Sequence, residues 1–161
     1  MTNPADFQWN SVSGIDSDGV SIKERLDELI RGALTYDEQI ELLVDLCRDG
    51  AASTAGYAAI PLLLRNDCAD PRTRWEMART AGLIVTSAGH NGSPGVPAEL
   101  ASNLNDSARL LIRTSILKAA AEAELGTAEL IDTLSVAVAL AGRDDLAHTF
   151  AELALREYGA A

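Results

Sequence analysis

Residues 44–64, VDLCRDGAASTAGYAAIPLLL, decide the fold of this chain. The stretch begins as the end of one apolar helix, passes through Gly50, and continues as a second apolar helix capped by Ser53 or Thr54. Gly50 is a natural left-handed stop, because glycine adopts positive φ without steric cost. Ser and Thr are good N-caps, because their side-chain oxygens accept free amides at a helix start. Two apolar helices joined by so short a turn predict an antiparallel helical hairpin.

Capping signals on both sides of this hairpin extend the pattern along the chain. Ser21 with Glu24 forms one potential capping box, and Thr35 with Glu38 forms another. The Asp-Pro pair at 70–71 marks a further helix start. With further starts at Pro97, at Gly126–Thr127 and at Gly142 with Asp144, these signals predict about seven or eight helices. The side chains that we expect to face inward include Ile40, Leu43, Val44 and Cys47; Trp75, Ala78, Gly82 and Val85; and Ala108, Leu111, Ile112 and Ala119.

The composition also predicts an all-α protein. The chain has 161 residues, of which 47% are apolar and 4% aromatic, a balance that favours helices packed through small side chains. Residues 1–20 are polar and lack an apolar period, so we predict a mobile N-terminal arm followed by a single domain over 21–161. Phe7 and Trp9 are the exceptions in this arm, and they either dock onto the first helices or contact a partner.

A short motif in the second helix of the hairpin carries a family resemblance. Gly50 is followed by Tyr57, Ala58, Ala59, Ile60, Pro61 and Leu62. This pattern resembles the corresponding stretch of a group of bacterial HEAT-like helical-repeat proteins. The resemblance implies an α-solenoid, a short right-handed α-α superhelix of about three hairpins. The motif is structural, so it implies no activity.

Charge and hydropathy exclude several classes of partner. The formal net charge is −11, with 11 acids and 4 bases in residues 1–49, and 8 acids and 2 bases in residues 119–161. A phosphate backbone needs a concentrated positive face, so we do not expect nucleic-acid binding. No segment offers the roughly 20 apolar residues that cross a bilayer, and we expect no membrane partner. Without a secretion signal, and with only Cys47 and Cys68 as cysteines, the chain fits the cytoplasm.

Carboxylates are clustered at helical spacing near the N-terminus. Because side chains four residues apart lie on one face of a helix, these acids form stripes on the first two helices. The stripes predict either a solvated outer face or an acidic surface that binds a basic protein. Arg72, Arg74 and Arg79, interspersed with Glu76, favour surface ion pairs over an anion site. The candidate partner-binding residues are Glu24, Glu28, Asp37, Glu41 and Asp45.

The sequence contains no catalytic constellation. It lacks a nucleophile elbow, a phosphate-binding glycine loop and a dinucleotide fingerprint, and neither His90 nor His148 has metal-ligand spacing. We therefore expect no cofactor or metal and favour a protein-interaction module over an enzyme. An acidic immunity or antitoxin-like binder of a basic partner is one form of that module. The alternative is an enzyme or small-ligand binder with an inter-helix pocket near the loop 90–97, HNGSPGVP.

Overall fold

The helices lie close to where the capping signals predict them. The structure, a computed structural model, describes residues 1–65, 70–90 and 92–160. Their seven α-helices are α1 (Gly19–Ile30), α2 (Tyr36–Leu46), α3 (Thr54–Leu63), α4 (Pro71–Ser87), α5 (Asp106–Glu122), α6 (Thr127–Leu140) and α7 (Asp144–Ala160). Two 3-10 helices, Trp9–Ser11 and Ala98–Asn103, and two short strands, β1 (Cys47–Arg48) and β2 (Ala51–Ala52), complete the described elements. The predicted all-α class is confirmed.

Neighbouring helices in the chain are also neighbours in space. From α3 onward each helix packs on the next, and α4 additionally contacts α2 and α6. This order suits a stack of helical hairpins, while the right-handed superhelix of HEAT-like type stays a prediction. Among the described residues, no helix combines the length and the apolar character needed to cross a membrane. Cys68 lies outside the described residues.

The helix caps confirm most of the predicted starts and correct one. Thr35 and Glu38 form the predicted capping box, in which the Glu38 carboxylate accepts a 2.8 Å hydrogen bond from the Thr35 amide. Helix α1, however, is capped by Asp18, whose carboxylate accepts the amides of Val20 and Ser21. The helix therefore begins two residues before Ser21, because the Asp18 carboxylate supplies the acceptor that we assigned to the Ser21 hydroxyl.

The connection between α2 and α3 is a β-hairpin turn that we did not predict. Asp49 and Gly50 have φ angles of 52° and 75°, and the flanking strands pair antiparallel with Cys47 opposite Ala52. Positive φ at both central residues matches a type I′ turn, which Asp-Gly favours. The left-handed conformation expected at Gly50 is confirmed, but it closes this turn rather than ending α2, which stops at Leu46.

Part of the N-terminal segment packs against the helical domain. The Trp9 side chain is 7% exposed, and Trp9 and Val12 belong to the hydrophobic core. The Trp9 indole N–H donates to the Pro4 carbonyl at 3.2 Å, and the Phe7 ring meets the Trp9 ring edge-on at a centroid distance of 5.7 Å. Of the two alternatives for Phe7 and Trp9, the structure shows Trp9 docked onto the helical domain. Whether residues 1–20 are mobile as a whole stays a prediction.

Asn103 joins the N-terminus to the middle of the chain. Its side chain is fully buried, its Nδ2 donates to the Tyr57 carbonyl at 2.9 Å, and its Oδ1 accepts from the Thr2 amide at 2.8 Å. The Tyr57 hydroxyl in turn donates to the Pro94 carbonyl at 3.1 Å. These bonds fix the 3-10 helix Ala98–Asn103 and the loop before it onto α3.

The predicted inner edge is right for α4 and partly wrong for α5. Trp75, Ala78, Gly82 and Val85 are all buried. Leu111 is 50% exposed, which corrects our expectation. The reason is that the buried stripe of α5 runs at four-residue spacing through Ala108, Ile112 and Ile116, so Leu111 lies beside it.

We predict that Trp9→Ala lowers the free energy of unfolding by about 3 kcal/mol, because a large buried ring leaves a cavity. Urea denaturation followed by circular dichroism measures this, with the exposed Gln8→Ala as the control. A Trp9→Ala protein as stable as the control would show that the segment contributes nothing to the core.

We predict that Tyr57→Ala costs about 3 kcal/mol or more, since the side chain is fully buried. Tyr57→Phe should cost only about 1 kcal/mol, the value of its hydrogen bond to the Pro94 carbonyl. The same denaturation measurement separates the two. Equal losses in the two variants would contradict a packing role for the ring.

Candidate functional site

Four of the five predicted acidic residues lie at or near the surface of α1 and α2. Glu24, Asp37 and Glu41 are exposed and Glu28 is half-buried. Arg25 joins the two helices, because its guanidinium donates to the Glu38 carbonyl at 2.9 Å and lies 3.7 Å from the Glu41 carboxylate. We call this surface of α1 and α2 the acidic face; its residues are Glu24, Glu28, Asp37 and Glu41.

Asp45 does not belong to this surface, which corrects the predicted stripe. Its side chain is only 4% exposed. The carboxylate Oδ1 accepts from the Asp16 amide at 2.6 Å, and the Asp45 carbonyl accepts from the Ile15 amide at 3.0 Å. Asp45 therefore faces inward, where its carboxylate accepts a backbone amide of the N-terminal segment that needs a partner. The sequence of α2 alone does not reveal this contact.

The face of α2 that we expected to point into the core also differs from the observed one, and it lines a groove. On α2 the buried apolar residues are Leu42, Leu43 and Leu46, whereas Val44, which we expected inside, is exposed. The half-buried side of α2 faces α4 across a cavity of about 200 Å³. We call it the α2–α4 groove. Its lining consists of Ile40, Leu43, Val44 and Cys47 from α2 and Glu76, Arg79, Thr80 and Leu83 from α4.

The wall formed by α4 is held by an ion network around Trp75. The Trp75 ring is buried, and its Nε1 donates to the Thr133 hydroxyl of α6 at 2.9 Å. The guanidinium carbons of Arg72 and Arg79 lie 5.2 Å and 5.8 Å from the ring centroid, within the range of cation–π attraction. Arg72 also pairs with Glu129, and Arg79 with Asp132, both on α6. The network fixes the two arginines beside the groove.

Glu76 is the carboxylate of this network with the weakest pairing. Its side chain is 14% exposed, and Arg79 Nη1 lies 3.8 Å away, beyond hydrogen-bond distance, while Arg79 Nε is bound to Asp132. Burial raises the pKa of Glu76, and the charges of Arg79 and Arg72 only partly oppose this. Glu76, Glu129 and Asp132 carry three negative charges against the two guanidiniums, so the network is one positive charge short of neutral.

We did not single out Glu76 from the sequence. Arg72, Glu76 and Arg79 stand at i, i+4 and i+7, so they share one face of α4, and this spacing was a usable signal. The prediction of ion pairs for Arg72 and Arg79 is correct. Their partners on α6 lie more than 50 residues away in the chain, which spacing along one helix does not reveal.

A second cavity lies beside the loop that the alternative hypothesis named. It has a volume of about 360 Å³ and includes Gly92 and Pro94, but His90 is not part of its lining. Two of its polar side chains are engaged within the protein: Arg48 pairs with Asp16, and the Thr54 hydroxyl donates to the Ser13 carbonyl. The rest of the lining is mostly small residues and backbone: Gly14, Ile15, Asp49, Ala51, Ala52 and Ser53.

Neither cavity presents an activated nucleophile among the described residues. Burial raises the pKa of the Cys47 thiol, which disfavours the reactive thiolate. In the described part of the chain, no three His, Cys, Asp or Glu side chains are grouped so that they could hold a metal ion. Comparison with known protein families, curated proteins and solved structures finds no match to this chain. The site is therefore interpreted from its own geometry.

We predict that Glu76→Gln flattens the dependence of stability on pH. Because the folded-state pKa of Glu76 is raised above 4.5, the folded protein binds more protons than the unfolded chain just above that pH. The stability of the native protein therefore falls as pH rises through the folded-state pKa, and Glu76→Gln removes this loss.

Thermal melts between about pH 4 and pH 7 measure the effect. Glu99→Gln, at an exposed carboxylate, is the control and should follow the native profile. A Glu76→Gln profile parallel to the native one would contradict the raised pKa.

Proposed function

We propose that the chain is a protein-interaction module of the HEAT-like helical-repeat type, and that its acidic face and α2–α4 groove together bind a basic segment of a partner protein. The observation that carries this proposal is the position of the groove. Its lining residues Ile40 and Val44 lie one helical turn along α2 from Asp37 and Glu41, and its α4 wall includes the incompletely neutralised Glu76. Carboxylates that favour a cation thus lie on both helices that form the groove.

The acidic face supplies attraction at a distance. Asp37 and Glu41 are exposed, and the one basic group near Glu41, Arg25, is 3.7 Å from it and also bound to a carbonyl. Residues 1–49 retain a net charge of −7, from 11 acids and 4 bases. Such a field accelerates the approach of a basic partner and makes the association rate depend on salt.

The groove supplies a place for one long side chain. Ile40, Leu43 and Val44 give it an apolar wall, and Glu76 gives it a carboxylate. Lys and Arg bury their aliphatic stems on apolar surface and keep the charged end at a polar site. A partner Arg or Lys that enters the groove would bring Glu76 the positive charge that its network lacks, and would lower its pKa again.

The cellular role follows from the same chemistry. A strongly acidic helical protein that covers a basic surface is suited to an immunity or antitoxin-like role, in which it masks a basic partner. The free thiol of Cys47 is compatible with a reducing compartment, which supports placing the protein in a bacterial cytoplasm. The Tyr57–Leu62 motif supports the HEAT-like type, because the Tyr57 side chain is fully buried, as a packing motif requires.

A small-ligand binder is the second candidate, because a cavity does lie beside Gly92 and Pro94. It has less support than the interaction module. The Arg48 and Thr54 side chains that would orient a ligand already bind Asp16 and Ser13. Binding of a small molecule there would have to break these bonds.

We predict that Asp37→Lys/Glu41→Lys abolishes partner capture, because it reverses the field at the mouth of the groove. Tagged protein is used as bait in a lysate of its host, recovered proteins are identified by mass spectrometry, and association rates are then measured with the purified partner at low and high salt. We expect association to slow by about tenfold or more and to lose most of its salt dependence.

The matched control is Glu99→Lys/Glu124→Lys, which changes the net charge equally at exposed acids outside the acidic face. Glu76→Gln tests the groove separately, and we expect it to speed dissociation while leaving association unchanged. If both double variants recover the same partners as the native protein, the acidic face is only a solvated surface and the proposal fails.

A further inference from the structure

The exposed apolar side chains of this protein are concentrated at its C-terminal end. Nine of the fourteen large exposed hydrophobic residues in the described chain lie on α5, α6 and α7. Helix α7 packs chiefly on α6 and leaves α5 largely uncovered. Soluble proteins expose single leucines routinely, but a contiguous group marks an interaction site. Whether these leucines are contiguous depends on the faces that they occupy.

Helix α6 uses two of its sides for its neighbours and leaves a third side open. Toward α4 it presents Thr133, which binds Trp75, and toward α7 it presents Ser135, whose hydroxyl donates to the Ala147 carbonyl at 2.8 Å. Leu130 and Leu134 are four residues apart and therefore lie one above the other. They are 45% and 42% exposed, and they occupy the open side.

The leucines of α5 border the same open side. Leu110 lines a cavity of about 510 Å³ together with Leu140 and Ala141 at the end of α6, so it lies at the α6 edge of α5. Leu117 is seven residues later, two turns further along the same stripe. It follows Ile116, which meets Val136 of α6 beside Gly82. Leu110 and Leu117 are 56% and 44% exposed.

Helix α7 places two more leucines on this side. Ala147 contacts Ser135 of α6, and Ala154, two turns later, is buried on the same side of α7; Leu146 and Leu153 each precede one of them. Leu134 likewise precedes Ser135, the α6 residue that contacts α7. In an antiparallel pair of helices, the residues that precede the contact positions fall on the same side of the pair. The result is one surface, the leucine face, which consists of Leu110, Leu117, Leu130, Leu134, Leu146 and Leu153.

We propose that the leucine face is the interface of a two-fold symmetric dimer of this chain. Arg109 and Arg113 lie at its α5 corner, and both line the cavity beside Leu110. Glu157, exposed near the end of α7, lies at the diagonally opposite corner. None of these three charges has a salt bridge to another described residue. A two-fold axis perpendicular to the face brings the arginines of one copy onto Glu157 of the other, as an isologous interface requires.

The size of the surface suits this occupant. Helices α5 and α7 have 17 residues and α6 has 14, so they are about 25 Å and about 21 Å long, and side by side they span roughly 28 Å, which gives about 650 Å² per copy. A stable interface buries about 800 Å² per partner. The outermost side of α7 instead carries exposed polar residues, so the helix stack ends there and the second copy docks sideways. Those residues are Asp145, Thr149, Glu152 and Arg156.

Sedimentation equilibrium tests the proposal directly. The chain has a mass of 17.0 kDa, so a dimer of two copies has twice that mass, 34.0 kDa. We expect the native protein to be a dimer at micromolar concentration and Leu134→Glu to be a monomer with an unchanged circular dichroism spectrum. Leu155→Glu is the matched control, because Leu155 is 71% exposed and lies on the opposite side of α7, and it should remain a dimer.

Charge reversal tests the two-fold arrangement without touching a leucine. Arg113→Glu should weaken the dimer by about tenfold or more, and Arg113→Glu/Glu157→Arg should recover most of that loss. A monomeric native protein, a dimer that survives Leu134→Glu, or a double variant no tighter than Arg113→Glu would each overturn the proposal. The leucine face is separate from the acidic face, so its failure would leave the partner-capture experiment unaffected.

Discussion

The close approach of α4 to α5 and α6 is the constraint on which the rest of the structure depends. At Gly82 a Cβ atom would lie 2.5 Å from Val136 Cγ1 and 2.8 Å from Ile116 Cδ1, so only glycine permits this spacing. One end of the same joint holds Trp75 and its bond to Thr133. Because α4 also contacts α2 and α3, its position sets both the width of the α2–α4 groove and the support for the C-terminal helices.

This arrangement explains how a charged site persists in a largely apolar domain. Glu129 and Asp132 anchor Arg72 and Arg79 to α6, so the two guanidiniums keep their positions. Burial, the largest single influence, lowers the pKa of Arg79, but the charge and hydrogen bond of Asp132 together with the charge of Glu76 outweigh it, and the pKa is raised. The guanidinium therefore stays charged, and Glu76 remains the network member that an incoming cation could still stabilise.

Sequence reasoning predicted the helices far better than the surfaces. Helix ends depend on caps such as Thr35 and Asp70, which act within four residues, so local patterns are sufficient to find them. The inward orientation of Asp45 depends on its hydrogen bond from the Asp16 amide, 29 residues earlier in the chain. The helical periodicity of α2 carries no information about that contact. The Asp-Gly pair at 49–50 is a turn signal in the sequence, but the two-residue strands beside it are too short to show the alternating apolar pattern that predicts a β-hairpin. The sequence places Glu76 on one face of α4. It does not place Glu76 beside a groove, because the α2 residues of the opposite wall were expected to face the core.

Asn103 has a consequence for the order in which this protein folds. Its bond to the Thr2 amide closes a loop with a sequence separation of 101 residues, and entropy penalises contacts of that range until the intervening elements have formed. Residues near position 2 are synthesised long before Asn103 leaves the ribosome. The bond of Thr2 must therefore wait for its native partner, whereas the 3-10 helix Trp9–Ser11 packs on the neighbouring α1 and can dock as soon as that helix has formed.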